Sequence, residues 1–461
     1  ACQKSMGLHN SKKLPSIEKY DHINVFFAEN LGVQLPSEVS AALSDTEQIS
    51  DLVILYYKYC TVKYPSREVE RQKKICSNAQ LIGRVLIADH GINGTLAGTP
   101  QAIAQYIDEM HHDQTFEMKA ADWKFSTSSR SAGPIFPDLK VTVVKEIINS
   151  GGKMPPPPPG TGTCADMSEV GGHLNPTEFH EKIQQHRAKV AKGEADENDL
   201  VIIDVRSKAE VAIGHFEGAA DPGMRYFSEF PQYVDSNVQN GTLANKTVLM
   251  YCTGGIRCET ASNYLRLQGC GAEVFQLRGG IHKYLEAYPD GGLFRGKNFV
   301  FDKRAVQTSL DGTVVGRCAY CAAPEDEICW ARVCTVCKDL VLACPGCRAA
   351  RREFHCDAHC SLRDCYFFDL APFGEEELGA QRAQLARLAG EIGTGKGFKN
   401  RRKTLRKQIA KIDAHLAGRR GGADGNGTPL NTEQAGRCRG CGCDGCQGGN
   451  ECWGKYGAKI G

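Results

Sequence analysis

The chain has 461 residues, 41% of them hydrophobic, and a formal net charge of +2. That length suits two or three domains with sizeable cores, and a charge so close to balance names no partner, so any nucleic-acid footprint must be local. No run of about 20 apolar residues is available to span a membrane, and the opening residues lack an apolar signal core, so an intracellular protein is expected, cytoplasmic rather than mitochondrial or plastid.

Residues 1–50 read as an extension with polar clusters and one short helical pattern. From Asp51 the pattern tightens. Leu52-Val-Ile-Leu-Tyr-Tyr-Lys-Tyr59 predicts a strand, residues 66–80 a helix and Gly83–Asp89 a second strand. Gly91-Ile-Asn-Gly-Thr-Leu-Ala97 turns into a third strand, Gln101 to Met110 is a helix, and Lys140 to Ile148 is a last strand. This β-α-β-β-α-β order over residues 51–150 predicts a ferredoxin-like α+β domain. The Gly91–Gly94 stretch suits either a plain hairpin or a phosphate cradle. Five prolines, Pro155 to Pro159, then mark a semi-rigid linker over residues 151–174.

Residues 175–311 alternate strands with helices, which predicts a mostly parallel sheet. Asn175 and Pro176 suit the cap and first position of a helix. The apolar run Val248-Leu-Met-Tyr251 predicts a buried strand ending on Cys252, and Thr253, Gly254, Gly255, Ile256, Arg257 and Cys258 lead into a helix. A cysteine between strand end and helix start meets backbone N–H groups and the positive end of the helix dipole. Arg257 adds a full charge, so Cys252 is expected to be a thiolate nucleophile near neutral pH. Cys252 to Arg257 is a C-x4-R spacing, one residue shorter than the loop with which cysteine phosphatases hold phosphate, and it suits a small adduct. No nucleotide-cofactor signature appears.

Most of the 22 cysteines lie after residue 317. Cys318-x2-Cys321, Cys334-x2-Cys337, Cys344-x2-Cys347 and Cys356-x3-Cys360 supply eight thiolates over residues 312–370, enough for about two structural zinc ions. Their pairing is open, with Cys329, His355, His359 and Cys365 as substitutes. Residues 371–420 form a basic helical segment in which Lys396, Lys399, Arg401, Arg402, Lys403, Arg406 and Lys407 make a local positive patch for a phosphate backbone. The Gly-rich tail, residues 421–461, carries Cys438, Cys441, Cys443, Cys446 and Cys452, either a further metal site or a reactive tail.

The Cys252–Arg257 loop resembles the rhodanese active loop. Leu200-Val-Ile-Ile-Asp-Val-Arg206 with Gly214-His-Phe-Glu-Gly218, and Val274-Phe-Gln-Leu-Arg-Gly-Gly-Ile281, resemble the opening and close of a rhodanese domain. In that resemblance His215 is structural. The domain order is closer still to the tRNA uridine hydroxylase family: Gly91-Ile-Asn-Gly-Thr95, then Tyr251-Cys-Thr-Gly-Gly-Ile-Arg-Cys258, then Gly296-Lys-Asn-Phe-Val-Phe-Asp302 and paired cysteines. The likeness implies an acylphosphatase-like first domain and an oxygen-dependent hydroxylation of a wobble uridine to 5-hydroxyuridine. It makes Cys252 the catalytic cysteine, Cys258 a second thiol near it, tRNA the partner and molecular oxygen the co-substrate. The loop by itself equally suits a sulfurtransferase carrying a persulfide on Cys252, with a sulfur- or electron-donating protein as further partner. A non-catalytic RNA-binding adaptor is the third class; it has no need of an intact loop.

Overall fold

The computed structural model describes residues 14–420, apart from 20–21, 46–49, 160–171, 270, 303, 305, 330–331, 352, 364, 369 and 393–398. The chain divides into two compact units between Val314 and Val315. Among the described residues no helix is long and apolar enough to cross a membrane.

The first unit opens with two short helices, α1 (Ile23–Leu31) and α2 (Ser37–Ser44), where the sequence suggested one. Next come β1 (Ser50–Tyr59), α3 (Pro65–Asn78), β2 (Ile82–Ala88), β3 (Gly91–Gly98), α4 (Pro100–His111), β4 (Lys124–Ser129) and β5 (Leu139–Val143). The sheet order is β4-β1-β3-β2-β5. The first four are the ferredoxin-like arrangement expected from the alternation, but its closing strand is β4. The strand predicted near Lys140 is β5, an added edge running parallel to β2. The serine-rich β4 (Lys-Phe-Ser-Thr-Ser-Ser) has too little apolar alternation to announce itself. Gly91 to Gly94 is hairpin and strand: Asn93 and Gly94 pair with Tyr57 and Tyr56 on one side and with Leu86 and Val85 on the other. Its backbone is therefore committed to the sheet.

Strand β1 is buried from both sides. Leu52, Ile54 and Tyr56 pack into a core with Ile103, Tyr106 and Ile107 of α4. The alternate residues, Leu55, Tyr57 and Tyr59, face away from that core, because side chains switch sides at each residue of a strand. In a two-layer domain that second face needs a cover.

The cover is the next domain: β6 (Gly172–Leu174), α5 (Pro176–Ala191), β7 (Leu200–Asp204), α6 (Lys208–Val211), β8 (Gly214–Phe216), α7 (Phe230–Gln239), β9 (Thr247–Tyr251), α8 (Ile256–Leu267), β10 (Glu273–Leu277), α9 (Gly280–Ala287), β11 (Phe294–Phe299) and β12 (Val306–Thr308). Strands β6-β10-β9-β7 form a wholly parallel sheet. Asn175 caps α5, accepting from the Glu178 N–H while Glu178 returns to the Asn175 N–H. Apolar clusters fill both faces, Val248 and Met250 facing one and Leu249 and Tyr251 the other, as expected for a parallel sheet covered twice. Strand β9 ends centrally, at the carboxyl edge where α/β sheets keep their sites.

The second unit holds four cysteine knuckles in two groups, α10 (Pro345–Ala349), α11 (Glu375–Glu391) and α12 (Lys399–Arg420). Its apolar core joins Leu378 and Leu385 of α11, Leu405 and Ile412 of α12, and Leu362, Phe367 and Phe373 of the chain that leads into α11.

Candidate active site and metal centres

Cys252 follows the last residue of β9 and has no exposed surface. Gly255, at a φ of +100°, turns the chain so that its N–H donates to the Cys252 sulfur at 3.1 Å, and the backbone N–H groups of Arg257 and Cys258 also point at it. The sulfur therefore sits over the N-terminus of α8, in a small anion hole. From behind, α9 pins the loop, the Ile281 and His282 N–H groups donating to the Cys252 and Thr253 carbonyls at 2.9 and 3.0 Å. Gly280 makes that approach feasible: a Cβ there would lie 2.4 Å from the Cys252 carbonyl oxygen.

Burial alone would raise the Cys252 thiol. The hydrogen bond from the Cys258 thiol, the Arg257 charge and the loop N–H groups outweigh it, and the pKa falls to about 6. Cys258 moves the opposite way, held well above the ordinary thiol value by burial and by donating to Cys252. The pair is a thiolate and its thiol donor.

Arg257 does not face the sulfur alone. Its guanidinium forks onto Glu210 at 2.8 and 2.9 Å and donates to Thr253 Oγ1 at 3.1 Å, all buried. Despite burial, Arg257 holds the Glu210 carboxyl down at about 2. Glu210 also closes the start of α6, accepting from the Ser207 N–H and hydroxyl. One carboxylate thus fixes both a helix cap and the loop arginine. Ser207-x-x-Glu210 is a legible capping box; that its Glu also anchors Arg257 is a tertiary fact without a local signal. His215 lies on β8, paired with Arg295 of β11, and its Nδ1 is 3.0 Å from the Val211 carbonyl.

The N-terminal domain contributes to this site, which the sequence reading missed. Leu55 and Lys124 are paired opposite one another on β1 and β4, and both lie against the loop: a Cβ on Gly254 would meet Leu55 Cδ2 at 2.8 Å and Lys124 Cδ at 3.9 Å. Tyr57 donates to Glu259 at 3.0 Å, and Tyr59 pairs with Thr260 at 3.0 Å, both partners on the first turns of α8. Glu259 is buried and also meets His173 at 2.9 Å and Gln276 at 2.8 Å. A groove of about 540 Å³ lined by Pro155–Pro159, Cys60, His90 and Asn263 lies along the same domain boundary.

Three family models match in chain order: the UPF0176 acylphosphatase like domain over residues 52–147, the Rhodanese-like domain over 187–287, and the Rhodanase C-terminal region over 295–361. A protein named tRNA uridine(34) hydroxylase, from Aster yellows witches'-broom phytoplasma, is 33% identical over 298 residues, 61% of this chain and 87% of that one. The chain belongs to that family. A second member, from Pseudarthrobacter chlorophenolicus, is 32% identical, covering 67% of this chain and 98% of that one. Rhodanese-like domain-containing protein 6 of Arabidopsis thaliana is 36% identical over 324 residues, but the match spans only 53% of its length.

In the second unit two groups of ligand atoms converge, each within 4.8 Å: Cys318, Cys321, Cys344 and Cys347, and Cys334, Cys337, Cys356 and His359. Sulfur pairs stand 3.5 Å apart in both groups, and His359 Nδ1 is 3.3 Å from the Cys356 sulfur. Those separations and the thiolate-rich donor set fit a tetrahedral zinc with Zn–S near 2.3 Å. Four of four ligands come from the protein, so such ions would crosslink the chain. Cys360, expected as the eighth ligand, lies outside both groups, and His359 stands in the place expected of it. The His359 N–H donates to the Cys356 carbonyl at 2.8 Å, a 3₁₀-type turn that brings position 359 back beside Cys356, and the chain kinks at His359 (φ −128°) and leaves Cys360 exposed. The pairing is interleaved, first knuckle with third and second with fourth.

The basic segment divides in two. Arg401 donates to the Ala358 carbonyl, Lys411 to those of Phe367 and Phe368, and Arg419 to those of Phe373 and Ala371; they staple α12 to its own module. Lys399, Lys403, Arg406 and Lys407 are exposed, and Arg402 is half-buried. Lys396 and the cysteines from Cys438 to Cys452 lie outside the described residues.

Proposed function

We propose that this protein hydroxylates the wobble uridine of tRNA to 5-hydroxyuridine, with molecular oxygen as co-substrate and Cys252 as the reacting residue. The observation that carries the reading is a buried cysteine held as thiolate at the N-terminus of α8, in a chain with the domain order of the tRNA uridine(34) hydroxylase family. Thr253, Gly254, Gly255 and Ile256 shape the anion hole, Arg257 locked on Glu210 supplies fixed positive charge, and Cys258 shares its proton with the sulfur. Two zinc ions, held by the eight residues grouped above, fold the second unit, and the exposed face of α12 offers Lys399, Lys403, Arg406 and Lys407 to the RNA backbone. Cysteines grouped as metal ligands rather than as disulfides suit a reducing intracellular compartment.

Mass spectrometry of tRNA nucleosides from cells with and without the protein tests the reading. Loss of 5-hydroxyuridine, restored by the parent chain but not by Cys252→Ser, is the expected result. Unchanged 5-hydroxyuridine together with a lost thiouridine would instead assign sulfur transfer.

A further inference from the structure

One buried cation at the Cys252 loop has no use in the scheme above. Lys124 is 4% exposed and belongs to the N-terminal domain, yet a Cβ on Gly254 of the loop or on Gly279 just before α9 would meet its Cδ or Cε at 3.9 or 3.7 Å. Its Nζ lies 4.7 Å from the centre of the Tyr57 ring and 3.4 Å from the Asp122 carbonyl. That is one long hydrogen bond for a group with three donors.

The carboxylates around it are engaged elsewhere. Asp122 receives Lys58 at 3.0 Å and the Lys119 N–H at 2.9 Å. Glu286, on α9, receives Lys283 at 2.7 Å, with His282 Nδ1 3.2 Å away. The groups facing Lys124 are thus Tyr57, Asp122, Lys283, Glu286, His282 and Cys252, and among the described residues Lys124 has no carboxylate of its own. A buried ammonium without a counter-ion is costly, and such groups are kept where a charge is to arrive.

We propose that Lys124 is a substrate-facing cation of the Cys252 site, which holds the negative charge that passes from the sulfur to the uracil ring. The proposal rests on the reading of the chain as a wobble-uridine hydroxylase. In the step concerned, the Cys252 thiolate adds to C6 of uracil. The sulfur lone pair forms the S–C6 bond, the C5=C6 π pair shifts toward C4, and the C4 carbonyl oxygen takes the negative charge as an enolate. No proton or oxidant enters the step, and C5 becomes the electron-rich carbon at which hydroxylation occurs. The ammonium of Lys124 pairs with the enolate oxygen. Arg257 cannot do this, being forked onto Glu210.

The test uses the full chain and an anticodon stem-loop RNA with 5-fluorouridine at the wobble position, which blocks the later chemistry at C5 and lets the C6 adduct accumulate. The parent protein is expected to form a covalent complex through Cys252. Lys124→Met, close in volume and without charge, should form it slower by on the order of 10²-fold at unchanged RNA affinity, and Lys124→Arg should recover part of the rate. Trapping by the parent should fall as pH rises through about 8, where the buried lysine loses its proton; that limb should vanish in Lys124→Met. Trapping of Lys124→Met as fast as the parent, or a parent that makes 5-hydroxyuridine without trapping, overturns the proposal. A parent that makes no 5-hydroxyuridine from unmodified tRNA removes the function it rests on, a separate result.

Discussion

Arg257 and Cys252 were placed together by their C-x4-R spacing, and the structure adds why the arginine works through a partner. A guanidinium locked on Glu210 is a weaker charge at the sulfur than a free one, so the two residues predict shifts of opposite sign. Thiolate ultraviolet absorbance, taken as the difference from Cys252→Ser, should rise with a midpoint near pH 6 in the parent. Arg257→Ala should move the midpoint up and Glu210→Gln should move it down; equal shifts of one sign would contradict the ion-pair account. Glu210→Gln also leaves a buried guanidinium unpaired, which should lower stability by about 3–5 kcal/mol in denaturant unfolding. The linkage follows from the depressed thiol. An acid held near pH 6 in the fold, against about 8.5 unfolded, stabilises fully above the higher value and loses that contribution as pH falls toward 6. The stability gap between parent and Cys252→Ser should therefore widen from pH 6 to 8.5 and level off beyond.

At the scale of elements, the knuckles and α12 show what spacing can and cannot convey. Four Cys pairs announce two metal sites, because no other use of such pairs is common in a reducing compartment. Which pairs share a metal depends on how the chain folds back, and the choice of His359 over Cys360 depends on a 3₁₀ turn that two adjacent candidate ligands cannot reveal. Metal analysis should find two zinc ions per chain in the parent and in Cys360→Ser. His359→Ala should lose one ion. A full complement in His359→Ala would restore Cys360 as ligand. The basic segment was legible only as a density of charge. Replacing Lys399, Lys403, Arg406 and Lys407 with alanine should weaken tRNA binding alike for all sequences and flatten its salt dependence by nearly one unit of slope per lost contact. Replacing Arg401 and Arg419 should instead lower the melting temperature, since these two hold α12 to carbonyls of its own module.

Across the first unit, the parallel sheet and the reactive loop were readable because each is written in a contiguous stretch, strand, Gly-Gly and helix. The contribution of the N-terminal domain was not, since Leu55, Tyr57 and Lys124 meet the glycines of the Cys252 loop and its neighbour Gly279 only after two domains fold and pack. Periodicity places Leu55 and Tyr57 on one face of β1 but says nothing of what covers that face. The covering gives the site a property neither domain has alone: a thiolate with no exposed surface, chemically ready and physically shut. Reactivity toward a reagent in solution then depends on how often the sheet face lifts from the loop, a local opening rather than global unfolding. Leu55→Ala shortens the contact above Gly254 without touching the sulfur or its hydrogen bonds. It should speed iodoacetamide alkylation of Cys252 several-fold while leaving the thiolate midpoint near pH 6, so rate and ionisation separate. If alkylation of Leu55→Ala matched the parent at every pH, the route to the sulfur would run through the rhodanese side of the loop, past Phe299 and Glu210, and not beneath the N-terminal sheet.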